Sequence, residues 1–112
     1  MGLASKPAIN ELGSALANDS HGKVRYYCAK TLDEIADHVP QEVAVAVPDL
    51  KTALDCEDAK TRYYVIKFLG KIGAVAFSAV EAIETLVNDP DESVRKAADS
   101  AIRRIRKEHA ET

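Results

Sequence analysis

Histidine and cysteine are the side chains of this 112-residue sequence best suited to act as bases, nucleophiles or metal ligands. The three histidines are His21, His38 and His109, and none belongs to a His-Glu-x-x-His motif. The two cysteines, Cys28 and Cys56, form no Cys-x-x-Cys pair and have no histidine beside them. The sequence therefore predicts no catalytic residue, no metal site and no cofactor.

Arginines that each follow a short acidic stretch have the chemistry of an anion-binding ladder, because guanidinium groups bind carboxylate and phosphate oxygens. These arginines are Arg25, Arg62 and Arg95. An aspartate precedes each of them by six or seven residues, namely Asp19, Asp55 and Asp89. Since these carboxylates are well placed to accept hydrogen bonds from the arginines, a structural role competes with a ligand-binding one.

The four tyrosines are more informative, because they occur as two doublets, Tyr26-Tyr27 and Tyr63-Tyr64. A lysine stands three residues after each doublet. Tyrosine combines a large contact area with a polar end and is common among the residues that dominate binding energy. The doublets are therefore the candidate binding residues.

These residues recur because the chain repeats itself. The segment 24–32 matches the segment 61–69, 37 residues later, and a more diverged copy occupies 94–102. An apolar-periodic segment precedes each copy, and a short polar stretch separates the two. Repeats of this length are typical of helical arrays.

Each half of a repeat reads as an amphipathic helix. Val65, Leu69 and Ile72 recur at spacings of four and three, which places them on one helix face. Six helices are predicted, at about 6–18, 22–38, 41–54, 59–74, 77–87 and 91–108. Pro48 is expected to start the third of them late or to kink it. The abundance of alanine and the low glycine and proline content also favour an all-α fold.

The same periodicity predicts which residues point away from the core. If Val65, Leu69 and Ile72 face inward, the doublets and the following lysines face outward, and stacked repeats bring them into one row. The third repeat presents lysine and arginine there, so the row becomes basic toward the C-terminus. The predicted partner-binding residues are Tyr26, Tyr27, Lys30, Tyr63, Tyr64, Lys67, Lys96 and Arg104. The alternative is that one member of each doublet packs between neighbouring helices.

Three stretches carry a family resemblance: Ala46-Val47-Pro48-Asp49-Leu50, Leu69-Gly70-Lys71-Ile72-Gly73 and Val94-Arg95-Lys96-Ala97-Ala98. With these the chain resembles the HEAT-repeat (armadillo-like) α-solenoids over about residues 8–108, particularly short bacterial-type repeats of the phycobilisome-lyase-like kind. Asp33 and Arg103 stand where the family pattern has glycine, so those helices are expected to continue further.

The resemblance implies a right-handed α-solenoid of about three helical hairpins. The single domain 1–112 would comprise repeats at about 6–38, 39–74 and 75–108. In the family, the arginine after the turn bonds to turn carboxylates or carbonyls between adjacent repeats, so the resemblance favours the structural role. Family members mostly act as scaffolds that hold a macromolecule along the second helices.

The leading functional prediction is therefore a non-enzymatic adaptor that binds a protein partner, with self-association through the solenoid ends as a further expectation. Nucleic-acid contact through the basic last helix is the alternative, but a net charge of −3 disfavours it. An accessory or lyase-like subunit of an enzyme system is another alternative. No apolar run is long enough to span a membrane, and two thiols without a disulfide framework favour the cytoplasm.

Overall fold

The computed structural model of the protein describes residues 22–38, 44 and 46–111, except for the side chains of residues 25 and 36–38. All regular structure in this part of the chain is helical. The α-helices are α1 (Gly22–His38), α2 (Val47–Ala53), α3 (Ala59–Ile72), α4 (Val80–Glu84) and α5 (Glu92–Glu111). Two 3-10 segments, Gly73–Ala79 and Thr85–Asn88, flank α4.

The helices form two layers that share one core. In the first layer, α3 packs between α1 and α5. In the second layer, α2 packs against α3 and against Gly73–Ala79, and the segment 73–88 packs along α5. The second helices of the predicted repeats, α1, α3 and α5, therefore lie side by side and present a common outer face.

The predicted apolar face of each second helix is buried. Val65 and Leu69 of α3 are fully buried, and Ile72 is nearly so. The equivalent positions in the other two copies are also buried, namely Cys28, Leu32, Ile35, Ala98, Ile102 and Ile105. Burial of such aliphatic side chains stabilises the fold by about 1.5–3 kcal/mol each. The helical periodicity read from the sequence is thus confirmed in α1, α3 and α5.

Small residues allow α3 and α5 to pack closely. A Cβ atom on Gly70 of α3 would lie 3.1 Å from the Cβ of Ala101 on α5. Since real Cβ contacts are rarely this short, any larger side chain at position 70 would push the two helices apart. The Gly70–Ala101 approach fixes the spacing of these two helices.

Aspartates in two turns cap the helices that follow. The Asp58 carboxylate accepts from the backbone N–H groups of Lys60 and Thr61 at the start of α3. The Asp91 carboxylate accepts from the backbone N–H of Val94 at 3.1 Å, at the start of α5. Such caps satisfy N–H groups that have no partner within the helix.

Several predicted helix boundaries need correction. The helix predicted at 41–54 begins as α2 only at Val47, next to Pro48, which agrees with the expected late start. The helix predicted at 59–74 ends at Ile72, because Gly73 adopts a φ of 65° that ends the α-helical path. The helix predicted at 91–108 continues to Glu111 in α5, as expected from Arg103 in the place of a glycine.

The prediction of a single α-helix at 77–87 is wrong. The chain instead passes from α3 through the 3-10 segment Gly73–Ala79 into the short helix α4 and a second 3-10 segment, Thr85–Asn88. These tighter turns connect the layers without a separate loop. The helix predicted at 6–18 lies outside the described residues, so the count of six helices remains a prediction, as does the handedness of the solenoid.

No helix within residues 22–38 and 46–111 combines the length and apolar character needed to cross a membrane.

Candidate functional site

The arginine after the second turn joins two consecutive turns. The Arg62 guanidinium donates through Nε and Nη2 to the two carboxylate oxygens of Asp89, at 2.8 and 3.1 Å. Its Nη1 donates to the backbone carbonyl of Cys56 at 2.6 Å. The side chains of Arg62 and Asp89 are only 13% and 4% exposed. Arg62 therefore ties the turn before α3 to the turn before α5.

Asp89 is held in its charged form by this arrangement. Burial alone would raise the pKa of the Asp89 carboxyl, but hydrogen bonds from Arg62 and from the backbone N–H of Asp91 act against it. With the nearby charges of Arg62 and Arg95, they hold the pKa of Asp89 below its ordinary value of 3.8. The carboxylate thus remains ionised at neutral pH and is paired inside the protein.

The structural role of the turn arginines is confirmed where their side chains are described. Arg95 donates from Nη1 to the carbonyls of Asp89 and Pro90, at 2.7 and 3.1 Å. The carboxylate that binds Arg62 is Asp89 of the next turn, whereas the earlier Asp55 is exposed. The side chain of Arg25 and the whole of Asp19 lie outside the described part of the chain. Arg62 thus uses its Nε, Nη1 and Nη2 within the protein, and Arg95 uses its Nη1.

Three of the four tyrosines form a continuous row across two helices. The rings of Tyr26 on α1 and Tyr64 on α3 are 5.0 Å apart between centroids, in an edge-to-face arrangement. The rings of Tyr64 and Tyr63 are 5.3 Å apart in a similar arrangement. Tyr27 does not join this row, and 71% of its surface is exposed. The doublets are therefore brought together between repeats, with one tyrosine left facing solvent.

Lysines surround the rings. The ammonium groups of Lys60 and Lys30 lie 5.3 and 6.0 Å from the Tyr26 centroid. The Lys67 ammonium lies 5.4 Å from the Tyr63 centroid. Such distances allow attraction between a cation and the face of an aromatic ring. We call the surface formed by Tyr26, Tyr27, Tyr63, Tyr64, Lys30, Lys60 and Lys67 the tyrosine face.

Tyr64, at the centre of the tyrosine row, is partly shielded from water. Burial raises the pKa of the Tyr64 phenol above its ordinary value of 10.0, and the charge and hydrogen bond of the Tyr26 hydroxyl raise it further. The Tyr64 hydroxyl therefore stays protonated at neutral pH. Tyr63 and Tyr64 are half-buried against the core, which also fits the alternative that one tyrosine of a doublet packs between helices.

A groove of about 390 Å³ runs between α3 and α5 beside the tyrosine face. Gly70, Ala97 and Ala101 line it with small side chains. Its other lining residues are Tyr63, Lys67, Lys71, Ser93, Lys96, Ser100 and Arg104. We call this the α3–α5 groove. It brings together four of the predicted partner-binding residues, namely Tyr63, Lys67, Lys96 and Arg104.

A smaller groove of about 200 Å³ lies between α1 and α3. Tyr26, Lys30, Tyr64 and Lys67 line it together with Ala29 and Asp33. The other predicted residues thus belong to a neighbouring groove of the same face, except for Tyr27. Lys60 and Lys71 were not predicted from the sequence as site residues. Lys60 lies four residues before Tyr64 and Lys71 four residues after Lys67, so each shares a side of α3 with a predicted residue.

Comparison with known protein families identifies the family that has this helical architecture. A sequence profile for HEAT repeats matches residues 9–103, most of the chain. The chain belongs to the HEAT-repeat family. HEAT repeats commonly mediate protein interaction or scaffolding and are generally non-catalytic. Searches of curated proteins and of solved structures gave no match. The narrower resemblance to phycobilisome-lyase-like repeats remains a prediction.

The basic last helix of this HEAT-repeat protein is partly neutralised by acidic side chains. Arg103 forms an ion pair with Asp99, and Arg106 forms one with Glu84 at 2.6 Å. Lys96 pairs with Glu92 at 3.0 Å, and Arg104 approaches Glu108 at 3.9 Å. The cations of α5 therefore alternate with carboxylates along most of the helix, which disfavours binding to a phosphate backbone.

The histidines and cysteines of the HEAT repeats form no cluster in the described structure. Cys28 is buried in the core and Cys56 is half-buried in a turn, and the two form no disulfide. The His109 ring stacks on Phe77 with 3.7 Å between centroids. Within residues 22–38 and 46–111, no three His, Cys, Asp or Glu side chains are grouped to hold a metal ion. His21 and the side chain of His38 lie outside the described residues.

Proposed function

We propose that this HEAT-repeat protein is a non-catalytic scaffold that binds a protein partner on the tyrosine face. The observation that carries the proposal is the ring contact between Tyr26 and Tyr64, which joins the doublets of two repeats into one surface. Aromatic side chains in such rows offer a large contact area at a small cost in side-chain entropy. Tyr27, which is mostly exposed, extends the surface toward solvent.

The flanking lysines support a protein partner. Lys30, Lys60 and Lys67 lie over the rings, so a partner meets an aromatic surface that is bordered by positive charge. Charged groups around an aromatic patch increase the rate and specificity of association. We expect the protein to act in the cytoplasm, where the thiols of Cys28 and Cys56, which form no disulfide, remain reduced.

Site-specific photo-crosslinking tests the proposal. A photoreactive phenylalanine analogue replaces Tyr27, and the protein is irradiated in native lysate. The matched control carries the analogue at Val87, which is also exposed but belongs to the other layer of helices. We expect a discrete protein adduct from position 27 only, and we expect the added change Tyr26→Ala to remove it.

Three results would contradict the proposal. Adducts of equal yield from positions 27 and 87 would show that the tyrosine face is not selective. Retention of the purified protein on DNA that disappears in the Arg103→Gln, Arg104→Gln and Arg106→Gln variant, without an adduct from position 27, would favour the nucleic-acid alternative. A tetrapyrrole that co-purifies with the chain would favour the lyase-like alternative.

A further inference from the structure

The α3–α5 groove is a concave surface lined by several positively charged side chains. Four cationic side chains line it, namely Lys67, Lys71, Lys96 and Arg104, and the carboxylates that pair with three of them, Asp33, Glu92 and Glu108, stand outside its lining. The whole chain carries a net charge of −3. The groove therefore concentrates positive charge on a protein that is acidic overall, which favours a ligand of opposite charge.

The cations of the groove are available to a ligand to different degrees. Within residues 22–38 and 46–111, no carboxylate pairs with Lys67, whose ammonium lies over the Tyr63 ring. Lys96 pairs with Glu92 one turn away, and both side chains are largely exposed. Arg104 is 3.9 Å from Glu108. Since exposed pairs of this kind are weak, a partner's carboxylates can replace them.

The floor of the groove suits a peptide chain. Gly70, Ala97 and Ala101 carry no side chain beyond Cβ, and a Cβ on Gly70 would lie only 3.1 Å from the Cβ of Ala101. A peptide backbone can therefore lie low between the two helices. Ser93 and Ser100 place hydroxyl groups at the rim that can hydrogen-bond to its amides.

We propose that the α3–α5 groove binds an acidic peptide segment of the partner, rich in aspartate and glutamate. This inference rests on the proposed function and adds the chemistry of the partner. The segment's carboxylates would pair with Lys67, Lys96 and Arg104, while its backbone lies on the small residues of the floor. Nucleic acid fits less well, because the chain has a net charge of −3 and a phosphate backbone calls for an extended basic surface.

The test uses defined probes and the full chain. The ¹⁵N-labelled protein is titrated with a short peptide of alternating glutamate and serine, with its glutamine counterpart, with its lysine counterpart and with oligothymidine. We expect the glutamate peptide to shift the amide signals of Gly70, Lys96, Ala97 and Ala101 more than the other probes do. We also expect these shifts to diminish at high salt, because ions screen exposed charges.

Charge variants locate the site. Lys67→Gln with Lys96→Gln should weaken binding of the glutamate peptide about tenfold, as expected when two exposed ion pairs are lost. The matched control, Lys23→Gln with Lys51→Gln, removes the same charge from exposed positions outside the groove and should leave the affinity within about twofold. Lys67→Glu with Lys96→Glu should reverse the preference toward the lysine peptide.

Four results would overturn the inference. One is an equal response to the glutamate and glutamine peptides. Another is equal weakening by the groove pair and the control pair of variants. The third is tighter binding of oligothymidine at the same amides. The last is an adduct from position 27 that persists in the Lys67→Gln and Lys96→Gln variant although this variant no longer binds the glutamate peptide. The scaffold function would then stand, and the proposal of an acidic partner segment would be wrong.

Discussion

The turn before α5 and the α3–α5 groove both gather positive side chains, yet they differ in what surrounds those charges. In the turn, Arg62 donates to the buried carboxylate of Asp89, and Arg95 donates to main-chain carbonyls. In the groove, Lys67 and Lys96 extend from the surface with weak partners or none among the described carboxylates. Charge alone therefore does not mark a binding surface, and our proposed binding surface rests on charge that the fold leaves without buried partners.

The difference has an energetic counterpart. Removing one member of a buried, hydrogen-bonded ion pair costs about 3–5 kcal/mol, because the other charge is left without compensation. Removing one member of an exposed pair costs about 0–1 kcal/mol. The turn is expected to determine stability and the groove is expected to determine binding, and four predictions test this division.

The largest effect is expected at the turn. Arg62→Met leaves the Asp89 carboxylate buried without its main partner and should lower the free energy of unfolding by about 3 kcal/mol. Chemical denaturation followed by circular dichroism measures this change. The control, Arg103→Met, breaks an exposed pair with Asp99 and should cost less than about 1 kcal/mol. Equal losses in the two variants would contradict the structural role of Arg62.

A smaller loss is expected at the floor of the groove. Gly70→Val forces side-chain atoms against Ala101, where even a Cβ would lie 3.1 Å away, and should destabilise the protein by about 2 kcal/mol. Ser100→Ala, on the exposed rim, is the control and should change stability by less than about 0.5 kcal/mol. A Gly70→Val protein as stable as the control would mean that α3 and α5 are not in close contact.

The pH dependence of stability should also report on the turn. The pKa of Asp89 in the folded protein is lower than its ordinary value of 3.8, so the unfolded chain takes up this proton first as the pH falls. The contribution of Asp89 is therefore fully present above pH 3.8 and is lost as the pH falls through the folded-state pKa. It amounts to about 1.4 kcal/mol for each pKa unit of lowering.

This contribution is isolated by comparing the wild type with Asp89→Asn in denaturation experiments at a series of pH values. The stability difference should be constant near neutral pH and should shrink only in the acidic range below 3.8. A difference that shrinks well above that range would show that Asp89 is not a strongly paired carboxylate.

The smallest effect on stability is expected for the exposed lysines of the groove. Lys67→Gln and Lys96→Gln remove side chains that are mostly in solvent, so each should change the free energy of unfolding by less than about 0.5 kcal/mol. The same denaturation experiment measures this change. A loss as large as that of Arg62→Met would mean that these lysines support the fold, and the division between turn and groove would be wrong.

Local patterns predicted much of the fold. The spacing of Val65, Leu69 and Ile72 predicted the buried face of α3, and Pro48 predicted the late start of α2. These features depend on neighbours within one or two helical turns, which the sequence displays directly. The division of 73–88 into 3-10 segments and α4 was not predicted, because it depends on how the chain connects two packed helices.

The site was predictable only as far as the repeat could be aligned. Equivalent positions in two repeats predicted that Tyr26 and the second doublet would meet, and the Tyr26–Tyr64 ring contact confirms it. The aspartate that binds Arg62 was not predicted, because Asp89 lies 27 residues further along the chain and approaches only after the repeats stack. Lys71 was missed for a related reason, since the groove it lines exists only between two packed helices.

The most direct test of the account is the crosslinking yield from position 27 per folded molecule, measured in the Arg62→Met and Tyr26→Ala variants. We predict that the folded fraction of Arg62→Met retains the adduct although the protein is less stable. We predict that Tyr26→Ala, in which a partly exposed ring is removed, loses the adduct while its helical signal is unchanged. An undiminished adduct in Tyr26→Ala would contradict the claim that the tyrosine face binds the partner.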